Sequence, residues 1–175
     1  TVQTPTPGGG TSSPQTFTIN SPNPTIVLPD AYTVIQGKDR SPNLSALFNS
    51  DNVRLTINVI PTLQYTNIIE EHAVAPFASV SRLSFILESM GSYVDRRRHI
   101  LLKNMTTGLF EEVASSANGT SDSVLQVDIT TNPNRFIDPI TREMIAQVKI
   151  DLTVSRPTTK KMSDFIDRGV WELLP

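Results

Sequence analysis

Two histidines, His72 and His99, are the only imidazoles in a chain of 175 residues, and cysteine is absent. Thiolate metal sites, Cys nucleophiles and disulfide frameworks are thereby excluded. His72 follows Glu70 and Glu71 directly, and consecutive side chains on a strand point to opposite faces, so the triplet does not converge on a metal. His99 lies in "DRRRHILL", at the wet face of an expected strand start. Glu111 and Glu112 are adjacent and face opposite ways on a strand, which rules out an acid/base pair. No serine stands in Gly-x-Ser-x-Gly, and Gly8-Gly9-Gly10 lacks the preceding strand and following helix of a phosphate cradle. No catalytic residue and no metal centre are predicted, and the chain reads as noncatalytic.

Weaker chemistry remains. Asp122, Asp128 and Asp138 lie around turns and are candidate oxygen donors to Ca²⁺, though hydrogen-bonded turn roles explain such residues more often; no other cofactor is expected. Arg96-Arg97-Arg98 beside Asp95 reads as a solvated strand edge whose charge discourages unwanted pairing. Three Asn-x-Ser/Thr sequons, at Asn43, Asn104 and Asn118, fall in expected loops or turns and are candidate glycosylation sites.

The elements that position these residues are strands. "NVRLTINVI" places Val53, Leu55, Ile57 and Val59 on one face, and "SVSRLSFILES" sets Leu83, Phe85 and Leu87 against Ser84 and Glu88. "MIAQVKIDLTVS" separates Ile145, Gln147, Lys149 and Asp151 from Ala146, Val148, Ile150 and Leu152. Asn104-Met-Thr-Thr-Gly108 reads as a short loop between strand-like arms, with the glycine at a left-handed position, hence a β-hairpin. Leu44, Leu47 and Phe48 after a Ser-Pro start predict one or two helical turns. About eight strands are expected from Tyr32 onward, without long amphipathic helices between them. The reading is an all-β, antiparallel β-sandwich, jelly-roll-like, with one wet face per sheet and an extended N-terminal tail.

The balance of the chain narrows its partners. A formal net charge of −2 gives no basic face for nucleic acid. No run of 18 apolar residues exists, so no membrane-spanning helix is predicted. The chain opens on Thr1 rather than Met, and the expectation is an exported product acting outside the cell or at its surface.

At the hairpin and the C-terminus the sequence resembles jelly-roll modules of secreted bacterial proteins, broadly the galactose-binding-like sandwiches. Ile100 to Asn104, Thr107-Gly108-Leu109-Phe110 and Trp171 occupy the places of that family's hairpin and closing aromatic strand. The resemblance covers roughly residues 32–175 and bears on fold more than function. In the family's carbohydrate-binding members, exposed loop aromatics contact ligand, and a structural calcium is common. The resemblance implies Tyr65 and Tyr93 as glycan-binding candidates.

The domain organisation expected is an extension over 1–31, rich in Pro, Gly and Thr, before a sandwich over 32–175. A linker, strands of the domain's own sheet, and strands donated to a neighbour all suit the extension. In the last case residues 15–28 span ~45 Å at ~3.3 Å per residue, with Phe17, Ile19, Ile26 and Leu28 filling pockets of the next subunit. Such head-to-tail donation builds a filament, and its layout resembles donor-strand pilins. The expected function is a structural subunit of an extracellular filament, a self-associating homopolymer; the alternative is a carbohydrate-binding or adhesive module of a larger secreted protein, with glycans as partners.

Overall fold

A computed structural model describes residues 23–41, 43–60, 65–153 and 161–175. Eleven strands run in order through these residues. They are β1 (Thr25–Val27), β2 (Ala31–Gln36), β3 (Lys38–Asp39), β4 (Leu55–Asn58), β5 (Asn67–Val74) and β6 (Arg82–Gly91), then β7 (Arg96–Lys103), β8 (Phe110–Ala117), β9 (Ser123–Ile129), β10 (Glu143–Leu152) and β11 (Ser163–Leu174). Sheet A has the order β3-β4-β11-β6-β9, with β1 also on β11; sheet B has the order β2-β5-β10-β7-β8. Every pairing is antiparallel. From β4 on the chain crosses between sheets at nearly every connection, which makes the two layers a β-sandwich.

Alternation in the sequence becomes the core directly. Leu55 and Ile57 of β4, Leu83, Phe85 and Leu87 of β6, and Met144, Ala146, Val148 and Ile150 of β10 are all buried. Trp171 of β11 lies opposite Phe85 of β6, their rings edge-to-face with centroids 4.9 Å apart. The expected helical turn is a 3-10 helix over Leu44–Leu47, capped by Asn43, whose Oδ1 accepts from the Ser45 N–H at 3.1 Å. The β7–β8 hairpin closes at Gly108, with φ +74°, where the left-handed backbone favours a residue without Cβ.

Three expectations are corrected. β7 is flanked by β10 and β8, so Arg96-Arg97-Arg98 is no edge: Arg96 and Arg98 point inward and are buried, and only Arg97 is exposed. The sandwich begins at Thr25 rather than Tyr32, because β1 pairs with the chain's own β11, Val27 opposite Trp171. That register turns Val27 toward the core and, by strand parity, leaves Ile26 54% and Leu28 43% exposed. Phe17 and Ile19 lie outside the described residues. The outer face of sheet A is not uniformly wet, since Ser84 and Ile86 of β6, between β9 and β11, are also buried. β3 was missed among the expected strands because two residues are too few to show a period.

Burial of the arginines is balanced by a polar network at one end of the sandwich. Arg96 (1% exposed) donates through Nε to Asp164 Oδ1 at 3.2 Å and through Nη2 to Asp164 Oδ2, with Asp164 itself 0% exposed. Its other donors reach the carbonyls of Tyr65 and, at 3.1 Å, Ile150. Asn67 Nδ2 donates to Asp164 Oδ2 at 2.7 Å, and Asn118 Nδ2 to Oδ1 at 3.4 Å. Asn118 Oδ1 accepts from Ser89 Oγ at 2.9 Å, and Arg98 closes the set by donating to Ser89 Oγ at 3.1 Å and the Ser123 carbonyl at 2.6 Å. β5, β6, β7 and β11 are thereby joined across both sheets.

Glu71 is the exception. It points from β5 into the sandwich, 0% exposed, and neither carboxyl oxygen has a hydrogen-bond partner. A Cβ at Gly169 of β11 would stand 2.1 Å from Glu71 Oε2, so the glycine makes room for the carboxyl. Burial raises the Glu71 pKa to about 8, and the proton is what makes the site tolerable.

Two outcomes follow. Because the folded chain holds the Glu71 proton that the unfolded chain releases near 4.5, stability decreases as pH rises from about 4.5 to about 8 and levels above that. Urea unfolding across that range will show the slope in wild type and a flatter profile in Glu71→Gln. Arg96→Ala, which strands a buried Asp164 charge, will cost about 3–5 kcal/mol by the same measurement, and Arg96→Met with Asp164→Asn will recover part of the loss.

Candidate functional site

The inward parity of β5, β7 and β10 sends their alternate residues to the outer face of sheet B. Glu70 and His72 of β5, Gln147, Lys149 and Asp151 of β10, and Arg97 and His99 of β7 stand there. In register, Gln147 lies between Glu70 and Leu101, and Lys149 between Ile68 and His99. The face is held by cross-strand contacts: Gln147 Nε2 donates to Glu70 Oε1 at 2.9 Å, and His72 Nδ1 is 2.9 Å from Glu143 Oε1. Arg97 Nη1 donates to Ser115 Oγ at 3.1 Å.

Asp151 is the hub of one end of this face. Its Oδ2 is 2.9 Å from Lys149 Nζ, and its Oδ1 is 3.5 Å from His99 Nε2. His99 Nδ1 is in turn 3.1 Å from Glu112 Oε2, so the imidazole is bracketed by two carboxylates. Beside this row a groove of about 310 Å³ is lined by Gln36, Thr66, Ile68, Lys149, Asp151 and Leu152. The register of β2 against β5 slips between Val34 and Gln36, which helps set Gln36 at the groove, where its Nε2 donates to the Thr66 carbonyl at 3.1 Å.

Chemically the groove's lining combines two apolar residues, Ile68 and Leu152, with a cation, a carboxylate, an amide and a hydroxyl residue. Such a lining matches a ligand carrying many hydroxyl groups, because each hydroxyl both donates and accepts while the carbon skeleton rests on the apolar side chains. Nothing here pairs a nucleophile with a base.

The residues singled out from the sequence are dispersed. Tyr65 is half-buried in a left-handed conformation, φ 55°, and Tyr93 is half-buried in the β6–β7 connection; neither lines the groove. Asn104 is buried, with Nδ2 donating to Glu111 Oε1 at 2.6 Å and Oδ1 accepting from the N–H groups of Thr106 and Thr107. Asn118 is fully buried in the inter-sheet network. In the folded chain those two asparagines are structural, and of the three sequon asparagines Asn43 is the exposed one. Glu111 and Glu112 part as expected, the first toward Arg135, the second toward His99. Asp138 accepts from the N–H groups of Ile140 and Thr141, and Asp128 from Gln126 Nε2; these bonds, with the Ser84 hydroxyl first at Asp128, hold both carboxyls below the usual range. Asp122 leaves that trio and stands instead beside Glu88 and Asp167.

No protein-family model matches the chain, and no curated protein does. Solved structures do. CBM29_1, a family 29 carbohydrate binding module from Piromyces equi, aligns with a TM-score of 0.50 at 7% identity, covering 86% of this chain and 91% of its own. The chain has a jelly-roll β-sandwich fold. TmCBM61, solved in complex with β-1,4-galactotriose, aligns with a TM-score of 0.48 at 9% identity over 82% of this chain and 89% of its own. A CBM4 structure aligns with a TM-score of 0.46 at 12% identity over 80% and 92%. At these identities the likeness speaks to the jelly roll alone. Within it, the groove residues were not legible in the sequence: alternation puts Lys149 and Asp151 on one face, but not that β5 and β7 are the strands beside them.

Proposed function

We propose that this chain is a noncatalytic module that binds carbohydrate outside the cell, through the outer face of sheet B at the groove beside Lys149 and Asp151. The observation that carries the reading is the lining itself: the groove brings Gln36, Thr66, Lys149 and Asp151 together with the apolar Ile68 and Leu152. The jelly-roll fold, which it has in common with a carbohydrate binding module, is consistent with it. The described lining contains no aromatic ring, so recognition here rests on polar contacts and not on stacking; affinity per sugar is correspondingly modest.

The filament reading has less support. β1 already occupies part of the edge of β11 in its own chain.

A panel of soluble polysaccharides, read by affinity electrophoresis and then by calorimetry on the best of them, tests the proposal. Binding by wild type is expected, with at least about tenfold loss in Asp151→Ala and in Lys149→Ala and little change in Tyr93→Ala. Binding that survives both groove substitutions, or no binding across the panel, would sink it.

A further inference from the structure

His99 stands between two acids on the outer face of sheet B. Its Nδ1 is 3.1 Å from Glu112 Oε2 on β8, and its Nε2 is 3.5 Å from Asp151 Oδ1 on β10. Both ring nitrogens are buried, and neither contact is aligned as a hydrogen bond, so the hold of the ring on either acid depends on its charge. The remaining groups around it are few. Lys149 of β10 lies opposite His99 in register, with Nζ 2.9 Å from Asp151 Oδ2. Ser115 of β8 lies opposite on the other side and accepts from Arg97. Arg97 and Leu101 flank His99 on its own strand, two residues away on the same face.

Asp151 is thus contacted at both oxygens, by Lys149 at Oδ2 and by His99 at Oδ1, and the two contacts differ in kind. An ammonium has three donors and no acceptor, whereas an imidazole changes character with its proton. As the imidazolium, His99 has an N–H for each acid. As the neutral ring it has one N–H for two carboxylates, and the bare nitrogen turns a lone pair on a carboxylate oxygen. Which nitrogen keeps the proton is set by its partner, and the shorter contact is the one from Nδ1 to Glu112. Nε2 is then left with its lone pair against Asp151 Oδ1, and the carboxylate that borders the groove loses one of its two holds.

We propose that His99 is a positioning residue for Asp151, and that its proton sets how firmly the groove presents that carboxylate to a ligand; the ligand part rests on the carbohydrate reading above. His99 does not line the groove and acts through Asp151, which does. A carboxylate fixed at both oxygens still has a lone pair on each for a ligand hydroxyl, and it needs no further ordering when the ligand arrives. Binding is therefore tighter where His99 is charged. It weakens as pH rises from about 5.5 to about 8, the interval in which histidine is the side chain that ordinarily changes charge. Glu71 also titrates near the top of that interval, but it points into the sandwich, and Glu71→Gln separates its effect.

The test uses the full chain, isotope-labelled for NMR. The imidazole nitrogen shifts should show His99 protonated at both nitrogens at pH ~5.5 and at Nδ1 alone at pH ~8. The Asp151 carboxyl carbon should shift over the same range in wild type and not in His99→Gln. Calorimetry with the best polysaccharide of the panel should give an affinity about three- to tenfold higher at the lower pH, and no such difference in His99→Gln. Glu112→Gln should restore tight binding at the higher pH, because its amide can donate to Nδ1 and leave the proton on Nε2, toward Asp151; this variant carries the test alone if His99→Gln does not fold. Glu71→Gln should keep the wild-type binding profile. A neutral ring protonated at Nε2 in wild type, an Asp151 carbon that titrates without His99, or a binding profile unchanged in His99→Gln would overturn the assignment. If no polysaccharide binds, the carbohydrate reading fails, and the two NMR readouts decide the role of His99 toward Asp151.

Discussion

A charge placed between two packed sheets must be matched there, and the pairing of Arg96 with Asp164 is the interaction on which this sandwich depends. Arg96 brings several N–H donors into the buried interior, and the structure answers with a carboxylate and two carbonyls. Asp164 is then completed by Asn67 and Asn118. Replacing such a set with apolar side chains could be equally stable, but removing one member is not, because the other is left charged and dry. The network therefore acts as a register lock. With the start of β5, the end of β6, the start of β7 and the start of β11 all bonded to one another, none can slip by a residue without stranding a polar group.

That lock decides what the outer faces look like. Because Arg96 and Arg98 face in, Arg97 and His99 face out, and across β10 the same parity presents Lys149 and Asp151 beside them. The groove on sheet B is a by-product of which charges were taken inside. Sheet A is arranged differently. Its central strand β6 buries outward Ser84 and Ile86 as well as its core face, and its long partner β11 carries a bulge that gathers acid around Asp167. One molecule thus presents two chemically distinct outer faces, a mixed-charge groove on one and an acidic cluster clasped by a loop on the other.

Glu71 shows the other solution for a buried acid. It has no cation and no donor near it, only the space left by Gly169, and it is accommodated by keeping its proton. Asp164 and Glu71 are both fully buried carboxyl groups, and what separates them is whether a guanidinium is within reach. The stability of the chain is consequently tied to pH through a residue that has no part in the groove.

Local sequence was enough for a good part of this. Apolar–polar alternation in β4, β6 and β10 marked strands with the right residues inward, and Asn104 to Gly108 marked a hairpin whose asparagine and glycine are both used. The all-β sandwich was legible from the same patterns, since period-two alternation reflects backbone geometry that neighbours cannot change. Partnership was not legible. Whether Arg96-Arg97-Arg98 sat at an edge or inside, whether Ile26 or Val27 faced the core, and which acids met Asp122 all depended on strand order and register. Those are set by contacts between residues far apart in the chain, where Asp164 meets Arg96, and where Glu88, Asp122 and Asp167 converge from two strands and the approach to a third. A one-dimensional pattern carries the parity of each strand; only the packing of one strand against another turns parity into a site.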